Sequence, residues 1–332
     1  MKLKIIAFLT SFAICGILTT LLLPLLKRSR AKQEILHYVK EHSAKNGTPT
    51  MGGVAFLLTI AMCSALFFGS IGKLALFSVT VALAYGLVGF LDDFIKVRFR
   101  RNLGLKAYQK IAAQLAIALL VAFFAYRNEY VNAEIWLPFS ARTVSVGKWM
   151  IPFVIFIFLA CTNGVNLTDG IDGLATGVTI CYLGLFFVYV LLRMRYYEDC
   201  GCVDLAREYD GILLLISVSV AALVAFRLFN CYPAKIFMGD TGSLALGGLV
   251  AGISVFTKFS LLIPLVGIMY VVSCGSVILQ VLYYKRTKKR VFLMAPFHHH
   301  LQEKGYSEPR IVAIYCTVTL IAGSIVLFFL CG

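Results

Sequence analysis

Residues 1–30, MKLKIIAFLTSFAICGILTTLLLPLLKRSR, pose the question on which the fold turns: a signal to be removed, or a helix that stays in a membrane. The apolar stretch is about 20 residues long, enough to cross a hydrocarbon core, whereas a secretory signal has an apolar region of roughly 7–15 residues and a small-residue exit. No A-x-A exit is present, and the run stops at Lys27, Arg28 and Arg30. A retained first helix is therefore expected. The pattern recurs along a chain of 332 residues that is 60% hydrophobic, against roughly 45–50% in a soluble domain. Apolar runs predict ten spans, near residues 3–26, 51–69, 73–91, 108–126, 149–165, 173–193, 211–229, 236–256, 261–284 and 310–331. Without water to pair the backbone, and without the alternation of a β-barrel, each must be helical. The expected fold is an all-α polytopic membrane protein, one integral-membrane domain over residues 1–332.

The formal charge of +15 fits either nucleic acid or anionic lipid, so its placement decides. Of 31 Lys and Arg, nineteen fall in loops around 27–50, 91–110, 163–172, 230–240 and 285–308, and ten fall at the N-terminus and in the opposite loops. Cationic loops stay on the cytoplasmic side, which puts both termini outside. Every Gly- and Asp-rich motif then lies on the cytoplasmic face, where the active site is expected. The partner implied is membrane lipid and not nucleic acid. Ten scattered cysteines without CxxC spacing read as small buried apolar residues.

Four polar stretches carry candidate chemistry. In GFLDDFIKVRFRRNLGLKAYQK (89–110), Asp92 and Asp93 follow an apolar run directly. They are either a solvated helix end paired with Lys96, Arg98, Arg100 and Arg101, or a base or metal ligand beside cations that attract phosphate. In CTNGVNLTDGIDGLATG (161–177), Asn163, Asn166, Asp169 and Asp172 recur every third residue, one polar stripe if the stretch is helical. Gly164, Gly170 and Gly173 weaken a regular helix but allow close backbone approach to a ligand. In PAKIFMGDTGS (233–243), Gly239 and its neighbours offer backbone N–H groups to an anion at a helix start, with Asp240 placed to hold Mg²⁺. In KNGTPTMGG (45–53), turn chemistry accompanies two spare donors, Lys45 and Thr50. Carboxylates without thiolates suit Mg²⁺ rather than zinc, and Mg²⁺ commonly bridges carboxylates and substrate phosphates.

PFHHHLQEK (296–304) presents three adjacent histidines. Consecutive side chains diverge by about 100° on a helix and alternate on a strand, so His298, His299 and His300 do not converge on one metal. An anion contact by one ring and structural hydrogen bonds by the others are the better uses.

At these residues, GTPTMGG, LDDFIKV, NGVNLTDGIDGLATG, FMGDTGS and MAPFHHHLQEKGYSE, the chain resembles the polyprenyl-phosphate N-acetylhexosamine-1-phosphate transferases and, through PFHHH and its flanks, their phospho-MurNAc-pentapeptide translocase (MraY) branch. The resemblance spans nearly the whole chain. It implies a Mg²⁺-dependent enzyme of the bacterial inner membrane that transfers phospho-MurNAc-pentapeptide from UDP-MurNAc-pentapeptide to undecaprenyl phosphate. The products are lipid I and UMP, in peptidoglycan biosynthesis, and the protein is commonly a homodimer. Carried over by motif, the resemblance makes Asp92 and Asp93 the acidic pair, with Asp92 as base, and Asp240 and Asp169 metal ligands. Lys45, Thr50, Lys96, Lys110, Asn163, Asn166, Asp172 and Gly239 become substrate contacts. Phe237 is the position that stacks uracil, Gln280 lines the same cleft, His298 joins the catalytic set, and His299 and His300 hold substrate.

The expected step is direct attack by the lipid phosphate on the β-phosphate of the UDP-sugar, with a two-step route through an aspartyl-phosphate left open. A transporter with broken helices and a non-catalytic lipid scaffold are the other classes, and a GlcNAc-1-phosphate transferase is the alternative enzyme.

Overall fold

The computed structural model describes residues 1–28, 47–99, 104–140 and 142–331. The order is α1 (Lys2–Arg28), α2 (Gly53–Leu66), α3 (Lys73–Phe99), α4 (Ala107–Arg127), a hairpin of β1 (Glu134–Leu137) and β2 (Arg142–Ser145), then α5 (Met150–Thr168), α6 (Leu174–Asp199), α7 (Val203–Asn230), α8 (Gly239–Phe256), α9 (Ile263–Val266), α10 (Ile268–Thr287), α11 (Phe297–Glu303) and α12 (Glu308–Cys331). The protein is an all-α polytopic membrane protein, with nine helices among the described residues long and apolar enough to cross a membrane.

The second predicted span, near 51–69, is α2, whose 14 residues reach only about 21 Å at 1.5 Å per residue, against a hydrocarbon core of about 30 Å. The span predicted at 261–284 is interrupted at Gly267: α9 ends at Val266, and α10 begins at Ile268. A Cβ at Gly267 would stand 2.7 Å from the Ile263 carbonyl oxygen and 2.9 Å from the Tyr270 ring, so the break needs a residue without a side chain. Several helices outrun their apolar cores. In particular, α3 continues two turns past the predicted end at residue 91, which places Asp92 and Asp93 inside the helix.

The bundle is organised around α8, the most enclosed of its spans. Its sequence, GDTGSLALGGLVAGISVF, is rich in small residues, and lipid-exposed bundles gain their cohesion from close packing rather than from excluding water. A Cβ at Gly89 of α3 would collide with the Asp240 carbonyl, one at Gly53 of α2 with Gly242, and one at Gly247 with the Thr162 backbone of α5. These three contacts let α2, α3 and α5 close on one central helix. Buried hydroxyls reinforce the seams: Tyr182 with Ser254 at 2.8 Å, Thr179 with Tyr270 at 2.8 Å, and Tyr209 donating to the Thr257 carbonyl at 2.8 Å.

The two ends of the bundle differ. One carries the hairpin, in which Glu134 pairs with Ser145 in antiparallel register, fastened to the end of α8 by Trp136 N–H to the Lys258 carbonyl (2.9 Å) and by Lys258 to Glu134 (2.6 Å). The other gathers the ends of α3 and α5 and the starts of α2, α4 and α8, the elements that carry the Gly- and Asp-rich motifs.

Gly247→Ala is expected to destabilise the protein by about 1–3 kcal/mol, because the added methyl enters a packed backbone-to-backbone contact. Gly184→Ala, exposed on α6 with no atom near its would-be Cβ, is the control. Thermal unfolding in detergent compares them, and equal midpoints would remove the close-packing account of α8.

Candidate active site

Asp92 and Asp93 are consecutive on α3 and only 3% and 2% exposed, so a solvated helix end does not describe them. Because successive side chains of a helix diverge, the two carboxylates do different work. Asp93 reaches the start of α8: its Oδ2 accepts from Thr241 N–H (2.8 Å) and Thr241 Oγ1 (2.7 Å), and its Oδ1 accepts from Asp240 N–H (3.2 Å). It supplies, from another helix, the anionic cap that the exposed N–H groups and positive dipole end of α8 call for. Gly239 makes this approach possible, with φ +72° and a would-be Cβ only 2.5 Å from Asp93 Oδ2. Asp92 Oδ1 accepts from Leu105 N–H at 2.8 Å, over Gly104, and its Oδ2 is 2.6 Å from Lys96 Nζ one turn along α3.

Asp240 is the hub. Its Oδ2 meets Lys96 Nζ at 2.8 Å and Lys110 Nζ at 2.9 Å, and its Oδ1 accepts from Asn166 Nδ2 at 2.7 Å. The Lys96, Asp240 and Lys110 side chains remain 30%, 18% and 17% exposed, so a solute can reach them. Asp92, Asp93 and Asp240 each offer an oxygen, all within 4.8 Å of one another. Oxygen-only donors in that compass fit a hard divalent cation. With all groups ionised, three carboxylates against two ammoniums leave one net negative charge, and a divalent cation would turn the cluster positive, ready for phosphate.

The polar stripe of 163–172 is not continuous. Helix α5 ends at Thr168, and only Asn163 and Asn166 lie on it. Asn166 joins the hub and also donates to Ser243 Oγ at 2.8 Å. Asn163 lies one turn deeper, donating to Gln114 Oε1 of α4 and to the Leu159 carbonyl, both at 2.8 Å. Asp169 caps α5, and burial, followed by the charges of Asp240, Asp93 and Asp172, holds its carboxyl well above the ordinary carboxylate range. Asp172 has turned away: its N–H donates to Glu308 Oε2 (3.1 Å) and its Oδ2 accepts from Ala234 N–H (2.9 Å), bracing the loop that enters α8. The glycines permit this turn, Gly173 adopting φ +71° before α6 begins.

Thr50 is buried close to Gly239 and Asp93, in a segment laid against residues 237–238: Phe237 N–H donates to Pro49 O and Gly52 N–H to Phe237 O, both at 2.8 Å. Phe237 is half-buried beside the hub. Lys45, like Arg100 and Arg101, lies outside the described residues.

The three histidines face three ways. His299 Nδ1 pairs with Gln302 Oε1 at 2.7 Å. His300 Nδ1 accepts from Leu293 N–H at 3.1 Å while its ring lies against Phe292 and Phe297. His298 is fully buried, its Nε2 pressed on Gly170 in the Asp169–Gly173 turn, and neither ring nitrogen has a hydrogen-bond partner among the described residues. Gln280 does not point into open space: it accepts from Val291 and Phe292 N–H (3.0 Å each) and donates to Phe292 O (3.1 Å), holding the loop before α11. Motif reading gave Thr241 and Ser243 only a backbone role at the start of α8, and it passed over Gln114 and Glu308, which carried no local signal.

The sequence matches the profile of glycosyl transferase family 4 over residues 74–258, from α3 to the end of α8, which encloses Asp92, Asp93, Asn166 and Asp240. Residues 45–57 match signature 1 of the phospho-N-acetylmuramoyl-pentapeptide-transferases. Proteins of that name from Clostridioides difficile (39% identical, 94% of this chain and 93% of the relative), Thermoanaerobacter sp. (40%, 96% of each) and Desulfitobacterium hafniense (41%, 92% and 91%) are similar along nearly their whole length. The chain belongs to the phospho-N-acetylmuramoyl-pentapeptide-transferase family. That family forms lipid I in peptidoglycan synthesis and needs a divalent metal; this chain is accordingly a multi-pass transferase of the bacterial inner membrane.

Burial, with His299 beside it, holds the His298 imidazole well below the usual histidine range, so the folded protein keeps it neutral at pH 7. The unfolded chain takes up this proton near pH 6.5, so folding stability is lost as pH falls below that value. His298→Gln is expected to show a smaller loss of thermal midpoint between about pH 7 and pH 5 than the parent. Parallel curves would mean that His298 is protonated in the folded state.

Proposed function

We propose that the chain, acting as one transferase unit over residues 1–332, moves phospho-MurNAc-pentapeptide from UDP-MurNAc-pentapeptide to undecaprenyl phosphate, using Mg²⁺ and releasing UMP. One observation carries the assignment of residues. Asp92, Lys96, Lys110, Asn166 and Asp240, from four helices, meet in a partly exposed polar cluster where those helices end. A lipid phosphate held at the interface and a nucleotide arriving from water can both reach such a place; a midplane site would exclude the second.

Asp92 is the base, accepting the proton of the lipid phosphate or orienting it, so that its oxygen attacks the β-phosphate of the UDP-sugar. The new bond forms at that phosphorus as its bond to the bridging oxygen of UMP breaks. Lys96 and Lys110, already at the cluster on Asp240, offer their ammonium groups to the phosphate oxygens. Asp240, with Asp169, would hold Mg²⁺, which when bound would neutralise the diphosphate and the leaving UMP. Asp93 acts through α8, whose first turn it anchors. Asn163, Asp172, Thr50 and Gly239 shape the walls, Phe237 offers a ring to the uracil, Lys45 and Gln280 border the nucleotide, and His298, His299 and His300 support the covering loop. The basic loops give the orientation, with this end cytoplasmic and both termini outside. The working form is a homodimer.

Asp240→Asn is expected to lower Mg²⁺-dependent UMP release by on the order of 100-fold or more, with the thermal midpoint retained. The assay supplies UDP-MurNAc-pentapeptide and undecaprenyl phosphate, with UDP-GlcNAc in parallel. Full activity in the variant would remove Asp240 from the site, and preference for UDP-GlcNAc would move the substrate to the related transferases. Substrate flux across vesicles without UMP would replace the enzyme with a transporter, and a trapped sugar-phosphate on the protein would replace direct attack with two steps.

A further inference from the structure

Away from the carboxylates, one seam holds chemistry that the transfer reaction does not use. Gly177, Cys181, Leu185 and Tyr189 recur every fourth residue and so form one face of α6. That face packs on α12: Leu185 lies against Gly323, and Tyr189 Oη donates to the Gly323 carbonyl at 2.6 Å. At its polar end Cys181 lies one turn along from Gly177, beside which the Cys316 thiol and the Arg227 guanidinium of α7 come together. Gly177 makes room for both partners: a Cβ there would collide with Nη1 of Arg227 and would stand 3.0 Å from Cys316 Sγ. A half-buried guanidinium at the end of an apolar helix thus stands beside a sulfur, and a second thiol lies on the same face of α6 one turn away.

Thiols react as thiolates, and an adjacent cation favours that form. A buried cysteine chosen only for its size needs neither a cation nor a second thiol beside it. Cys316 is therefore the nucleophile of the pair and Cys181 the resolving thiol. We propose that Cys181 and Cys316 form a redox-active dithiol, which a small membrane-soluble disulfide oxidises to a bridge joining α6 to α12. In the first step Cys316 Sγ attacks one sulfur of RSSR, forming a mixed disulfide and expelling RS⁻. In the second, Cys181 gives up its proton and attacks Cys316 Sγ, expelling the other thiolate. The protein loses two electrons and two protons, and RSSR becomes two RSH. The bridge would tie the start of α6, next to the Asp169–Gly173 turn, to the helix whose Glu308 braces Asp172 and whose Tyr315 faces His298.

The test uses full-length protein in phosphatidylglycerol vesicles, treated with dithiodipyridine, alkylated with maleimide and mapped by mass spectrometry without reduction. The expected product links the Cys181 and Cys316 peptides, with both thiols lost to maleimide and restored by a reductant. Cys181→Ser should stop at the mixed disulfide on Cys316, and Arg227→Gln should slow the reaction of Cys316 by about tenfold or more. Cys274, a half-buried thiol on α10, is the internal comparator. The proposal is overturned if both thiols still alkylate after oxidation, or if Cys316 in the parent protein reacts no faster than Cys274. UMP release by the reduced variants reports that they have folded; where a variant fails, the mapping of the parent protein decides.

Discussion

The Asp93 carboxylate accepts the first backbone N–H groups of α8, and the rest of the site depends on where that leaves Asp240. A helix start carries orphan donors and a partial positive charge, and inside a membrane bundle there is little water to satisfy them. Taking the cap from α3 rather than from a local side chain locks two helices in one register. Gly89 and Gly239 are the steric conditions, since a side chain at either would hold the helices apart. Asp92 is turned toward the start of α4, and Lys96 falls between it and Asp240, where Lys110 joins from α4.

Charge balance explains why the lysines are there. Two carboxylates brought together beside a low-dielectric core repel each other, and desolvation penalises each. Lys96 bridges them, and Lys110 adds a second cation on the same oxygen of Asp240. Asn166 binds the other side of Asp240 and, itself held by Ser243, limits the freedom of that carboxylate to turn.

Around this corner the polar motifs serve as scaffolding as much as chemistry. Asp172 and Glu308 hold the entry to α8, Gln280 and His300 hold the loop before α11, and His298 fills the space that Gly170 leaves. The adjacent histidines separate into three environments for the reason that a helix separates any three neighbours. A polar residue near a site thus also serves the packing of helices, and Asn163, bonded to Gln114 across α4 and α5, is an instance.

From the residues alone one could read that the chain is a helical membrane protein, that its acidic and Gly-rich motifs share one end, and that three adjacent histidines do not make one metal site. Those readings follow from local quantities: span length, loop charge and the angular period of a helix. Tertiary structure alone decided that α2 is short, that the span at 261–284 breaks at Gly267, and that Asp92 and Asp93 are buried within α3. It also separated Asp93, which caps a helix, from Asp92, which meets a lysine, and it divided the stripe of 163–172 between the hub, a turn and a brace. Hydrophobic periodicity records how often a chain turns to face the bundle, but not which carboxylate meets which cation; that pairing arises from helices far apart in sequence, brought together by glycines whose only signal is the absence of a side chain.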